Sequence, residues 1–116
     1  MKINPITRLD YPDPDVIRVG EFYYMVSTTM YFFPGGEILR SRDLVHWEHL
    51  SYIYDTLDGT PGQRLEGSQN IYAQGMWAAC VRYHQGQFYV CFSANDTGKA
   101  YLYTCLLYTS DAADDL

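Results

Sequence analysis

The residues best suited to chemistry lie in a short proline-rich run near the N-terminus. Asp13 stands between Pro12 and Pro14, with Asp10 and Asp15 close by. The two proline rings restrict the backbone, which helps to hold the Asp13 carboxylate in a fixed place. A fixed carboxylate suits acid–base chemistry, but an Asp in such a turn more often caps a backbone N–H. The residues alone therefore favour a turn role for all three carboxylates.

The histidines do not form a recognisable site. The spacing of His46, His49 and His84 lacks the pattern of a ligand cluster, so we expect them on the surface and predict no metal or other cofactor. Arg64 and Glu66 lie in a polar stretch, where a solvated ion pair is the expected arrangement.

Composition and charge narrow the function classes. The 116 residues are 47% hydrophobic, which is enough for one small domain with a core. The net charge is -6 and the eight Lys and Arg are scattered singly, which disfavours nucleic-acid or anionic-membrane binding. No apolar run approaches the roughly 18 residues of a membrane span. Pro5 interrupts the N-terminus before a signal peptide could form, so we expect a soluble, cytoplasmic protein.

A repeated hairpin pattern predicts the fold. Aromatic residues make up 16% of the chain, and they favour half-buried strands. The pattern Gly-x-Phe-Tyr-x-x-x-Ser begins at Gly20 and again at Gly86, a repeat distance of 66 residues (86 minus 20). Each copy reads as two strands joined by a two-residue turn. Such a repeat is typical of propeller blades with long connections, so we predict an all-β fold with two blades.

Further elements are expected between the two hairpins. Residues 37–41 read as a third strand, and residues 44–50 lead out of a turn at Asp43 as an outer strand would. Residues 55–75 are rich in turn-forming residues and predict a long connection. Long loops on a rigid scaffold are frequent places for binding sites.

The second hairpin also predicts a pair of facing cysteines. A turn at Gln85 and Gly86 pairs residues whose numbers sum to 171, which places Cys80 opposite Cys91. A cross-strand disulfide is geometrically allowed there. The three cysteines, with Cys105, have neither CxxC spacing nor the density of a disulfide framework, so reduced thiols are favoured.

Several ordered motifs resemble glycoside hydrolase family 43. They occupy residues 4–6, 10–18, 23–28, 33–35, 38–41, 43–45 and 75–78, together with Trp47, and the similarity runs from about residue 4 to residue 104. The resemblance implies a five-bladed β-propeller, of which this chain holds the first two blades. It also implies an inverting hydrolase that cleaves terminal β-xylosyl or α-L-arabinofuranosyl links in plant-type glycans.

The resemblance assigns roles to three residues. In that family the Asp between two prolines is the general base, which implies this role for Asp13, while Asp10 and Asp15 keep structural roles. Sugar rings present apolar faces that stack on aromatic side chains. Trp77 matches a Trp that lines the substrate pocket in relatives, and Phe32 is a second candidate; for both, packing in the core is the alternative.

The C-terminal segment differs from the rest of the chain. Residues 105–116 break the strand pattern and look like the translation of a sequencing-library adaptor, so we predict a partial propeller at 1–104 and a non-native tail at 105–116. In the family, a second Asp, which tunes the pKa of the acid, and the Glu that acts as general acid lie on later blades. The partial propeller in this chain is therefore expected to be inactive alone. A carbohydrate-binding propeller without catalysis is the alternative, and a small structural protein is a third hypothesis.

Overall fold

The computed structural model describes residues 4–105, which form seven β-strands in two antiparallel sheets. The first sheet contains, in spatial order, β1 (Asp15–Val19), β2 (Phe22–Ser27), β3 (Gly35–Ser41) and β4 (Glu48–Tyr54). The second sheet contains β5 (Cys80–His84), β6 (Gln87–Ala94) and β7 (Lys99–Cys105). Each sheet is a simple meander, as propeller blades are. The all-β prediction and the count of two sheets are confirmed. No helix in the described range is long and apolar enough to cross a bilayer.

Both predicted hairpins form at the predicted turns. Gly20 has a φ of 62° at the first turn, while Gln85 and Gly86 have φ values of 49° and 83° at the second. Two successive left-handed residues are characteristic of a type I′ turn, whose twist matches that of the flanking strands. The resulting register pairs Cys80 with Cys91, as predicted, and both thiols are free.

The outer strand of the first sheet begins later than predicted. Residues 44–47 are not part of it, and β4 starts at Glu48. The cause is Asp43, whose Oδ1 accepts hydrogen bonds from the backbone N–H groups of Val45 and His46 at 2.9 and 2.8 Å. These bonds and the His46 side chain lower the pKa of the Asp43 carboxyl. Asp43 therefore closes a turn that contains His46, which was expected in a strand.

Other surface predictions are confirmed. The three histidines, His46, His49 and His84, are all exposed. Arg64 and Glu66 form an exposed ion pair of 2.8 Å. Residues 55–75 contain no strand and connect the two sheets.

The hydrophobic core lies between the two sheets. Tyr24 of β2 contacts Phe88 of β6 with ring centroids 4.7 Å apart, and Tyr54 of β4 stacks on Phe92 of β6 at 5.5 Å. Alternate residues of β6 are buried because one face of that strand meets the first sheet. Each large side chain buried here stabilises the packing by about 1.5–3 kcal/mol. The core therefore fixes the position of one sheet relative to the other.

Cys105 belongs to the second sheet. It was expected to begin the tail, but it is buried, ends β7 and pairs with Phe88. The rest of that predicted segment, residues 106–116, lies outside the described residues.

Candidate active site

Asp13 lies just before β1 in an unusual backbone conformation. Its φ is 47°, in the left-handed region that non-glycine residues seldom adopt, although Asp tolerates it better than most. A residue that precedes proline normally prefers an extended backbone, so the conformation is imposed by its surroundings. Strained backbone of this kind concentrates at functional sites. The Asp13 side chain is exposed and has no hydrogen-bond partner among residues 4–105, so its carboxylate oxygens are free to meet a water or ligand.

Two hydroxyl groups at the end of β2 anchor the segments around Asp13. The buried Ser27 hydroxyl donates to the carbonyl oxygen of Pro12 at 2.8 Å. The buried Thr28 hydroxyl donates to the carbonyl oxygen of Met76 at 2.7 Å and accepts from the Met30 N–H at 2.8 Å. These bonds connect the Asp13 segment, the loop after β2 and the segment before β5.

Gly75 allows two of these segments to touch. Its φ is 93°, and a Cβ at this position would lie 2.4 Å from the Met30 carbonyl oxygen. The next residue, Met76, donates from its N–H to that same oxygen at 2.9 Å. Trp77 donates from its N–H to the Ser93 carbonyl oxygen at 2.9 Å, which ties it to the end of β6. The backbone that carries Trp77 is thus held from both sheets.

Asp13 and Trp77 line one pocket. This cavity, called here the Asp13 pocket, has a volume of about 330 Å³. It is lined by Pro12, Asp13, Thr28, Met30, Ala73, Gln74, Met76, Trp77 and Ala78. The Trp77 side chain is 57% exposed, so it is not a core residue and its ring can meet a ligand. The structure brings the two predicted residues together, and their catalytic and binding roles stay predictions.

Phe32 lies beside this pocket. It lines an adjoining cavity of about 260 Å³, called here the Phe32 pocket, together with Asp10, Tyr11, Glu37 and Tyr52 among others. The two pockets share Pro12, Thr28 and Met30. Phe32 is 61% exposed, and its role as a ligand contact also stays a prediction. Burial and the nearby Glu37 carboxylate raise the pKa of Tyr11 above its ordinary value of 10.0.

Asp15 joins the two sheets. Its Oδ2 accepts from the Val81 N–H and from Arg82 Nη1, both at 2.9 Å. A turn role was expected for Asp15, but the residue begins β1 and its partners lie on β5, which was not predicted. Of the residues that anchor the site, the sequence marked only the positions of Ser27 and Ser93, where the two copies of the repeated hairpin motif end. It did not show which groups they bond.

The described pocket supplies one carboxylate. Asp13 is the only acidic residue among those that line it. An inverting glycosidase needs two carboxyl groups about 6.5–9.5 Å apart, one as base and one as acid. Within residues 4–105, no three His, Cys, Asp or Glu side chains come together as a metal site would require. The arrangement offers one carboxylate and one exposed aromatic ring, and an inverting mechanism would need a proton donor from elsewhere.

Comparison with known proteins places these observations in a family. The family model described as glycosyl hydrolases family 43 matches residues 3–114. A beta-xylosidase from Formosa agariphila is 38% identical over 87 residues, which are 75% of this chain and 14% of that protein. A non-reducing end alpha-L-arabinofuranosidase from Bacteroides ovatus is 39% identical over 96 residues, 83% of this chain and 17% of that protein.

A solved structure gives the same result. The structure described as a bifunctional GH43-CE protein from Bacteroides eggerthii superposes with a TM-score of 0.86 at 46% identity, covering 90% of this chain and 15% of that one. The chain thus spans only a small part of the proteins it matches. The family match extends into the segment predicted as a non-native tail, residues 105–116. The start and the origin of that tail stay predictions. With its two sheets as blades of the family's propeller, the chain belongs to glycosyl hydrolase family 43.

Proposed function

We propose that the protein of which this chain forms part is an inverting glycoside hydrolase acting on terminal β-xylosyl or α-L-arabinofuranosyl groups. The observation that carries the proposal is the pairing of a free Asp13 carboxylate with an exposed Trp77 in one pocket. The chain covers 14% and 17% of two relatives named beta-xylosidase and alpha-L-arabinofuranosidase. Activity is therefore proposed for the intact protein.

Asp13 would act on water in this mechanism. As the water oxygen attacks the anomeric carbon, the Asp13 carboxylate takes its proton. A carboxylic acid from outside residues 4–105 gives a proton to the leaving oxygen. Trp77 would stack on the apolar face of a sugar ring and hold the anomeric carbon near that water. The strained backbone at Asp13 fixes the position of the carboxylate, which reduces the movement of this group needed when water attacks.

Substitution of Asp13 tests the assignment. In the intact protein, Asp13→Asn should lower kcat for aryl β-xylosides or aryl α-L-arabinofuranosides by about 10²–10⁴-fold, since the amide cannot accept the proton of water. Asp55→Asn is the matched control, because Asp55 is also an exposed carboxylate and lies outside the Asp13 pocket. Activity of Asp13→Asn within a few-fold of the control would show that another group is the base.

Substitution of Trp77 separates binding from proton transfer. Trp77→Ala should raise KM for these substrates, because the stacking platform is lost. Binding of xylo-oligosaccharides by the unmodified intact protein without any turnover would instead support the carbohydrate-binding alternative. An unchanged KM in Trp77→Ala would remove Trp77 from the binding site.

A further inference from the structure

Two adjacent buried hydroxyl groups hold the two sides of the candidate site separately. Ser27 is the last residue of β2, Thr28 follows it, and both are buried. Successive side chains along a strand point to opposite faces. The Ser27 hydroxyl accordingly donates to the Pro12 carbonyl oxygen on one side, and the Thr28 hydroxyl donates to the Met76 carbonyl oxygen on the other. Both contacts lie inside the described residues and do not depend on what covers the outer faces of the sheets.

The Ser27 contact is important because the segment around Asp13 has few other ways to be held. Pro12 and Pro14 have no backbone N–H, so neither can donate to a neighbouring strand. The ladder between β1 and β2 ends before this segment. The Ser27 hydroxyl binds the oxygen of the peptide unit that joins Pro12 to Asp13, at 2.8 Å. That bond fixes the peptide plane from which Asp13 turns into its φ of 47°, and so sets the direction of its side chain.

The Thr28 hydroxyl uses both its proton and a lone pair. It donates to the Met76 carbonyl oxygen at 2.7 Å and accepts from the Met30 N–H at 2.8 Å. Met76 immediately precedes Trp77, so this hydroxyl sets the position of the backbone that carries the indole ring. Loss of the Thr28 hydroxyl should therefore displace that ring and leave the peptide before Asp13 in place.

We infer that Ser27 is a positioning residue that acts through Asp13 on proton transfer. Thr28, in turn, is a positioning residue that acts through Trp77 on sugar binding. The inference rests on the function proposed above for the intact protein. Proton transfer requires the base oxygen within hydrogen-bond reach of the attacking water, so a small displacement of the carboxylate lowers kcat. A stacking ring contacts the sugar both before and during the reaction, so its displacement raises KM.

Steady-state kinetics of the intact protein test the role of Ser27. Ser27→Ala should lower kcat for aryl β-xylosides or aryl α-L-arabinofuranosides by about 10–100-fold, and KM should change by less than about twofold. Ser41→Ala is the matched control, because Ser41 is also a buried serine, its hydroxyl donates to Asp43 Oδ1 at 3.0 Å, and it lies outside the Asp13 pocket. The control should keep both constants. Equal kcat values in the two variants would overturn the inference.

Substitution of Thr28 should give the opposite kinetic result. Thr28→Val removes the hydroxyl and keeps the shape of the side chain, so KM should rise at least about threefold while kcat changes by less than about twofold. Thr28→Ser retains the hydroxyl and should keep KM close to that of the unmodified protein. A fall of kcat in Thr28→Val as large as that in Ser27→Ala would contradict the separate effects.

A double variant separates positioning from a general loss of structure. If Ser27 acts only through the Asp13 carboxylate, Ser27→Ala should have almost no further effect on kcat in an Asp13→Asn background. The same factor in both backgrounds would overturn the positioning role. Normal kcat in Asp13→Asn alone would refute the function proposed for Asp13 and the inference with it. A large fall in Asp13→Asn with none in Ser27→Ala would refute only the role of Ser27.

Discussion

Replacement of Gly75 by Ala tests whether the junction before β5 holds the candidate site in place. The new Cβ would lie 2.4 Å from the Met30 carbonyl oxygen and 2.9 Å from its carbonyl carbon. Both are backbone atoms, so the clash is relieved only by moving one segment away from the other. That movement breaks the hydrogen bond of 2.9 Å from the Met76 N–H to the Met30 oxygen.

Two costs add at this position. A left-handed conformation costs an alanine about 1–2 kcal/mol. Loss of the buried hydrogen bond costs about a further 1–3 kcal/mol, because a donor is left unsatisfied. The free energy of unfolding should therefore fall by about 2–5 kcal/mol in total.

Gly86 provides the matched control. It also has a positive φ, 83° against 93° at Gly75, but an added Cβ would meet nothing within 4 Å. Gly86→Ala should therefore cost only the conformational part, about 1–2 kcal/mol. Any gain from restricting the unfolded chain is common to both variants and cancels in the comparison.

The two variants should be compared in the intact protein by urea unfolding and by steady-state kinetics. Gly75→Ala should be the less stable by about 1–3 kcal/mol. It should also have the higher KM, since Trp77 moves with the displaced segment. Equal stability of the two variants would refute the proposed junction.

Two further predictions concern contacts between distant segments. Asp15→Ala should lower the free energy of unfolding by about 1–3 kcal/mol, because the Val81 N–H loses its acceptor, and Asp15→Asn should recover most of this loss in urea unfolding. Lys99 and the Tyr101 hydroxyl hold the pKa of the Asp58 carboxyl below its usual 3.8. The charged Asp58 carboxylate therefore stabilises the fold above pH 3.8, and this contribution is lost as the pH falls through the lowered pKa. Asp58→Asn should accordingly be less stable than the unmodified protein at neutral pH. The difference should shrink in thermal melts at increasingly acidic pH, and a difference that is constant with pH would contradict the assignment.

The sequence predicted the elements whose signals are local. The turn residues Gly20 and Gly86 set two hairpins, and the two-residue length of the second turn gave the pairing of Cys80 with Cys91. The start of β4 was wrong because one side chain, Asp43, competes for backbone N–H groups that a strand would otherwise use. Local patterning does not show such competition.

Contacts between the sheets were less predictable. Asp15 bonds with residues 66 and 67 positions away on β5, a relation that no short pattern contains. The resemblance placed Asp13 and Trp77 in one site, and the structure brings them to one pocket. The resemblance did not show that Phe32 lies in a separate, adjoining pocket, because the separation of the two pockets depends on how the loop after β2 folds.

The candidate site depends on the docking of the two sheets. Thr28 follows the first hairpin and its hydroxyl binds the Met76 carbonyl 48 residues later, next to Trp77. The core contact of Tyr24 with Phe88 joins the same two hairpins. Neither sheet alone could hold Asp13 and Trp77 at one pocket. Asp13 lies beside the first hairpin, Trp77 lies just before the second, and each region supplies one side of the pocket. Substitutions that weaken the core between the sheets should therefore reduce ligand binding even where they lie far from both residues, because the same packing stabilises the fold and sets the distance between Asp13 and Trp77.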